Sequence, residues 1–318
     1  MKIETQIKTI TVSAPVTIAN LVCGFDILGM ALDEPRDILQ VTINDSNKIT
    51  IFNQDDFNLP EDPAQNVSGV ALRALLSAYP HPTGFQLISQ KKIKPGSGLG
   101  SSAASAAGAV VAANKLLNDY FSLDDLVNFA MAGEELASGV NHADNVAPCI
   151  YGGITLIRSQ QPLDIIPLSV PELFVTVIHP QIEIKTSDAR QILRKGVLLK
   201  DAIVQWGNIA GLIAGFLKND HALIGRSMND VIVEPVRSIL IPGFKEIKNS
   251  SMEAGALGGG IAGSGPSIFM LSSEETIANE IKQRMENIYN RLGINFHVYV
   301  TTISPQGVRI ENQVLSTD

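Results

Sequence analysis

The chain has 318 residues, enough for two domains that each bury a core. Apolar residues make up 45% and charged residues 18%, which excludes a disordered or fibrous chain, and 32 acidic against 24 basic side chains (net -8) argue against nucleic acid as a partner. Two cysteines, Cys23 and Cys149, cannot build a disulfide framework or a four-cysteine zinc site, and such scarcity fits a reducing cytoplasm.

Met1 to Ile10 alternates apolar and polar residues like a strand and shows no signal-peptide core. The longest apolar runs, such as Ile209 to Leu217, fall short of the roughly 18 residues a spanning helix needs, so no membrane partner is expected. Ile3–Val16 reads as a strand, and Ile38–Ile43 and Ile49–Phe52 flank the turn-prone Asn44-Asp45-Ser46-Asn47. Asn66 to Tyr79 has helical spacing and stops at Pro80-His81-Pro82. The strand Phe85–Ile88 leads into a glycine-rich loop and an alanine-rich helix from Ser101 to about Leu117. Ser122 and Asp125 form a capping box for the next helix, and Gly153–Ile157 is a strand.

Gln160 to Pro171, with prolines at 162, 167 and 171, is the expected interdomain boundary, dividing the chain into 1–165 and 166–318. Beyond it come a strand (Leu173–Ile178), a short helix after Ser187, and helices around 201–217 and 221–232. A glycine cluster at Gly255–Gly265, a strand (Ser267–Leu271), an amphipathic helix (274–292) and a strand (Phe296–Thr301) complete the chain. Helices and strands mix without a regular βα repeat, so the class is α+β.

The sharpest local signal is Ile93-Lys94-Pro95-Gly96-Ser97-Gly98-Leu99-Gly100-Ser101-Ser102-Ala103-Ala104-Ser105. Alternate glycines let backbone approach an anion, and the helix that starts directly after them offers free N–H groups and the positive end of its dipole. The spacing is neither a Walker A loop nor a dinucleotide fingerprint. A plain glycine connector would explain the alanines but not the paired serines. Gly258-Gly259-Gly260-Ile261-Ala262-Gly263-Ser264-Gly265-Pro266 contains G-x-G-x-x-G, but a strand rather than a helix follows it, so the fingerprint is a decoy. A ligand-lining loop and a plain connector remain equally good readings there.

Glu134 continues the apolar face of Leu123, Leu126, Val127, Ala130 and Met131, while Glu135 points about 100° away. An inward carboxylate near a helix C-terminus calls for a cation. The alternative is a helix that ends early and leaves both glutamates solvated.

The first glycine loop resembles the ATP-binding signature of the galactokinase, homoserine kinase, mevalonate kinase and phosphomevalonate kinase (GHMP) superfamily. Residues 258–267 resemble its C-terminal motif, and Ser13–Leu21 its N-terminal one. Within the superfamily the chain is most similar to the homoserine kinases, through Asn20–Asp26, Asn141–Pro148, Thr186–Arg190 and Glu234–Arg237. The resemblance implies two domains: an N-terminal ATP-binding domain with a left-handed βαβ crossover, against the usual hand, and a ferredoxin-like C-terminal domain. It implies ATP and Mg²⁺ as cofactors and L-homoserine as the partner, phosphorylated on its hydroxyl for threonine biosynthesis; a homodimer is suggested by resemblance alone.

By the same resemblance Pro95, Gly96, Ser97, Gly98, Leu99, Gly100, Ser101, Ser102, Ala103, Ala104 and Ser105 hold the nucleotide, with Asn66 at the adenine. A helix cap is an equally good reading of Asn66. Ser102 and Glu134 would share the metal. Asn20 and Asp26 would receive the substrate ammonium, and Arg190 and Arg237 its carboxylate, helped by Thr186, His142, Gly263 and Ser264. The planar guanidinium fork suits a carboxylate. The implied catalytic set is Glu134, Arg190 and Asn145, the last standing where mevalonate kinases carry an aspartate base. Two rivals stay open: another GHMP kinase for a mevalonate-like or sugar alcohol, and a non-catalytic nucleotide-binding regulator.

Overall fold

A computed structural model describes residues 7–315 apart from 183 and 185, and the side chains of 7 and 186–188 are likewise outside the description. In chain order the elements are β1 (Ile7–Ala19), β2 (Leu28–Asn44), β3 (Ile49–Asn53), α1 (Val67–Ala78), β4 (Gly84–Gln90), α2 (Ser101–Leu116), α3 (Leu123–Ser138) and α4 (Val146–Tyr151). They continue as β5 (Ile154–Gln160), β6 (Leu163–Leu168), β7 (Phe174–Pro180), α5 (Thr186–Gln191), α6 (Leu199–Lys218), α7 (His221–Ser227), α8 (Glu234–Arg237) and α9 (Phe244–Glu253). The last are β8 (Gly258–Ile261), β9 (Ile268–Ser272), α10 (Glu275–Leu292), β10 (Phe296–Thr302) and β11 (Arg309–Leu315).

Two sheets organise the molecule. The first runs β11-β1-β2-β4-β3, with the β5–β6 hairpin joined to β2. Here β3 pairs parallel with β4, making β3–α1–β4 a βαβ crossover. The second sheet runs β10-β7-β9-β8, all antiparallel. With the helices between β7 and β8 and α10 between β9 and β10, that is the βαββαβ order of a ferredoxin-like unit.

Alanine-rich α2 explains itself by its place. It lies over β1 and β2, and Gly108 approaches the sheet so closely that an added Cβ would meet Leu39 Cδ1 at 2.6 Å. Small side chains allow that approach, and twelve further residues of the helix are buried with Gly108. Asn66 caps α1, its Oδ1 accepting from the Ser68 and Gly69 N–H groups. The Ser122–Asp125 capping box opens α3. A second apolar cluster draws on both halves of the chain, with Ile18, Leu21, Leu28 and Met30 packing against Val175, Leu212, Phe216 and Phe269.

The structure adds detail to the sequence pattern at three places. The proline-rich stretch at 160–171 contains strand β6, tolerated because β6 pairs only with β5 and an edge strand can spare the N–H of Pro167. The second glycine cluster is not all loop: Gly258–Ile261 is strand β8, and a Cβ on Gly259 would overlap Phe269 O across the pair. The helix at 221–232 stops at Ser227. The strand β11, near the end of the second half of the sequence, pairs with β1 in the first sheet.

Candidate active site

A cleft of about 640 Å³ is lined by residues from both halves of the chain. Its floor is the glycine loop after β4. Gly96, Gly98 and Gly100 all take positive φ (80°, 80° and 57°), backbone that other residues adopt only at a cost. A Cβ on Gly96 would meet nothing, but one on Gly98 would stand 2.6 Å from the Ala262 and Gly265 carbonyl oxygens. The two glycine clusters therefore pack on each other, and Ser267 Oγ donates to Ser97 O at 2.7 Å to fasten them. No side chain caps α2, so the N–H groups of its first turn are left to whatever fills the cleft.

Pro95, Gly96, Ser97, Gly98, Gly100, Ser101, Ser102, Ser105 and Asn66 line the cleft. Leu99, Ala103 and Ala104 do not. Their side chains are fully buried in the apolar clusters, and the Ala104 N–H is committed to Gly100 O.

α3 carries Glu134 to the cleft as its spacing predicts, and the helix does not end early: Glu134 is buried while Glu135 is exposed. Ser102 Oγ donates to Glu134 Oε2 at 2.7 Å. Burial pushes the Glu134 carboxyl above its usual range, opposed by the Ser102 hydrogen bond and the Lys91 charge. A desolvated carboxylate beside a hydroxyl, next to unpaired helix N-terminal N–H groups suited to phosphate, has the donor chemistry of a Mg²⁺ site, since Mg²⁺ takes few protein oxygens and completes its shell with phosphates and water.

The opposite wall is charged. After β1 the backbone turns through Asn20, Leu21 and Val22, all at positive φ, a costly run for side-chain-bearing residues and one that marks a shaped site. Asn20 Nδ2 donates to Gly263 O at 2.9 Å, and Asn20 Oδ1 accepts from the Asp26 N–H at 3.0 Å. Arg190 reaches Asp26 with Nη2, 2.8 and 3.1 Å from the two carboxylate oxygens. His142 Nε2 lies 3.6 Å from Asp26. Burial lowers the His142 pKa, with Asp26 pulling it back. Arg237, 3% exposed, is held by Ala189 O and Gly263 O. Both guanidiniums stack on the Phe25 ring, at 5.4 and 5.0 Å from its centroid. Gly263 and Ser264 line the same wall; the Thr186 side chain lies outside the described residues. Asn145 Oδ1 accepts from Thr17 Oγ1 at 2.9 Å, tying the start of α4 to β1 at the cleft's edge.

Phe25, Lys91 and Asp144 also line the cleft; the sequence assigns no role to Phe25 or Lys91, and leaves Asp144 as a loop-shaping residue or an alternative base. Phe25 could have been noticed as the aromatic beside Asp26. Asp144 is 6% exposed, and burial, with Asp26 and Glu134 nearby, pushes its carboxyl up to about 7 from 3.8. The folded protein therefore holds this proton more tightly than the unfolded chain. Its contribution favours folding below pH 3.8 and is lost as pH rises through about 7. Asp144→Asn mimics the protonated acid. The ligand-free variant should melt with the parent at pH 4 and several degrees above it at pH 8, at roughly 2–4 °C per kcal/mol. Equal melting temperatures at both pH values would contradict the buried assignment.

Comparison with known proteins gives the family. The family of GHMP kinase N-terminal domains matches residues 66–153, and that of GHMP kinase C-terminal domains matches 212–291. A homoserine kinase of Chloroherpeton thalassium is 42% identical over 95% of this chain and 99% of its own length. Another, from Methanocella arvoryzae, is 37% identical over 96% and 98%. The crystal structure of a homoserine kinase from Cytophaga hutchinsonii superposes with a TM-score of 0.92 at 47% identity, covering 98% of this chain and 99% of that one. An L. major mevalonate kinase shares the fold alone, at 14% identity and TM-score 0.69. The architecture is that of a two-domain GHMP kinase. The chain belongs to the homoserine kinase family of that superfamily.

Proposed function

We propose that this protein transfers the γ-phosphoryl group of ATP to the side-chain hydroxyl of L-homoserine, giving O-phospho-L-homoserine on the route to threonine. The observation that carries the reading is the charge layout of one cleft. A phosphate-binding backbone stands at one end, and an acid with two arginines stands at the other. Mg²⁺, when bound, neutralises phosphate charge, and Ser102 and Glu134 are the residues that would hold it. The α2 first turn binds the phosphates. Asp26 and Arg190 pair with each other. An amino acid brings an ammonium for Asp26 and a carboxylate for Arg190 and Arg237, so it can replace each charge's partner without leaving either unpaired. The domains are taken as 1–165 and 166–318, with β11 returning to the first.

Asn145 is an amide and takes no proton. A loose transition state needs little base assistance, so positioning and charge stabilisation carry the catalysis. A second reading has one observation behind it: the Asp144 carboxyl titrates near 7 inside the cleft, where a general base would be poised. The kinetics of Asp144→Asn separate the two. We expect its kcat to stay within about tenfold of the parent, whereas loss of a base would cost about 10²–10⁴.

Release of ADP measured across L-homoserine, L-serine, mevalonate and galactose tests the assignment. Homoserine should be turned over at least about 10²-fold more efficiently than mevalonate, which presents no ammonium and would leave Asp26 without a partner. Equal turnover of mevalonate or galactose would overturn it.

A further inference from the structure

Lys91 lies just before the glycine loop and lines the cleft, yet its ammonium is not free to meet a ligand. Its Nζ donates to Asp37 Oδ2 at 2.6 Å, Ser101 O at 2.8 Å and Ser105 Oγ at 2.7 Å. An ammonium has three protons, so all three are used within the protein. The pair is dry, with side-chain exposures of 2% for Lys91 and 0% for Asp37. The second oxygen of Asp37 accepts from the Lys92 N–H at 2.7 Å. Asp37 belongs to β2 and stands outside the cleft lining, while Ser101 and Ser105 belong to the first turns of α2. One ion pair thus ties the sheet, the chain entering the loop, and the start of the helix that offers its N–H groups to phosphate. Ser101 Oγ also donates to Ile93 O at 2.9 Å, closing the loop on its other side.

Buried ion pairs contribute little net stability, because desolvation offsets most of the attraction. This one stands where geometry matters most. Ser102 follows Ser101 directly, and its hydroxyl must stay within reach of Glu134, 2.7 Å away on another helix. From this arrangement we infer that Lys91–Asp37 is a positioning element, which holds the first turn of α2, with Ser102 and the phosphate-facing backbone, in register with Glu134. It acts through the helix and not by contact with the nucleotide, and it rests on the kinase reading above.

Lys91→Met alone would strand the Asp37 carboxylate in the core and is expected to unfold the protein. The test therefore uses Asp37→Asn, nearly isosteric and outside the cleft lining, and the neutral double variant Lys91→Met/Asp37→Asn. Calorimetry with Mg·ADP gives nucleotide affinity, steady-state kinetics give kcat and the KM for homoserine, and thermal melting gives stability. Asp37→Asn should weaken Mg·ADP binding and lower kcat about tenfold each, since an ångström of misplacement can cost about 10²-fold. The KM for homoserine should move less than threefold. The double variant should regain the melting temperature lost by the single one without regaining nucleotide affinity.

Recovery of affinity and stability together would reduce the pair to a structural role and overturn the inference. So would wild-type Mg·ADP affinity in Asp37→Asn combined with loss in the double variant, which would make Lys91 a direct ligand. If the parent binds Mg·ADP but phosphorylates no homoserine, the acceptor assignment fails while the ADP affinities still decide this proposal. A parent that binds no Mg·ADP overturns both.

Discussion

Gly98→Val is expected to abolish ATP-dependent turnover, with Mg·ADP affinity falling beyond about 10²-fold. Two independent reasons act at this position. Its φ of 80° lies in the left-handed region, where a β-branched side chain is strained by roughly 1–2 kcal/mol. Its missing Cβ leaves room for the second glycine cluster, whose Ala262 and Gly265 carbonyl oxygens would stand 2.6 Å from the new atom. Neither neighbour is a flexible side chain that could swing away. The loop would have to move, and with it the backbone that meets the phosphates and the seam joining the two halves of the cleft. Gly96→Ala is the instructive contrast. It shares the φ of 80°, but a Cβ there meets nothing, so it should pay the strain alone and keep measurable turnover. Nucleotide titration of both variants, checked for a cooperative melt, reads the difference. Parent-like affinity in Gly98→Val would contradict the loop assignment.

Asp26→Asn should raise the KM for homoserine on the order of 10²-fold, while kcat at saturation stays within about tenfold. A charge-assisted hydrogen bond in a partly desolvated site contributes about 1.5–3 kcal/mol, and its loss falls on binding if Asp26 meets the ammonium in both ground and transition states. The same substitution removes the countercharge of Arg190, whose guanidinium shares the Phe25 ring with Arg237. Burial and the neighbouring Arg190 already lower the Arg237 pKa, so two poorly balanced cations would face each other. Some loss of stability is expected, restored by saturating homoserine, whose carboxylate supplies the missing charge. A kcat loss of 10² or more at unchanged KM would instead assign Asp26 to proton transfer. Steady-state kinetics with homoserine as the varied substrate decide between them.

Local rules carried much of this protein. The 3.6-residue spacing that put Glu134 on the face of Leu126, Val127, Ala130 and Met131 is the spacing that buries it in α3. Glycines at 96, 98 and 100 occupy backbone that only glycine adopts cheaply, so the tight turn ahead of α2 is legible in the sequence. The caps at Asn66 and Ser122 are contacts across two or three residues, within reach of sequence reasoning. Strand β8 was missed because its glycines answer to Phe269 and Met270 across the pair, and propensity scores them as loop.

What the sequence determined by itself is the chemistry available: a glycine-rich loop opening a helix, an inward glutamate, and acid and arginine side chains. Only the tertiary structure decided which of them meet. Asp26 and Arg190 are 164 residues apart, Thr17 and Asn145 are 128 apart, and Lys91 finds Asp37 across 54. No periodicity reports such pairings, because a pattern of a few residues encodes only which face of an element is buried. The partner on that face is selected by sheet order and packing over the whole chain. The same holds for Asp144: a carboxylate in sequence is ordinary, and it becomes a group titrating near 7 only when the fold takes water from it and sets other acids beside it.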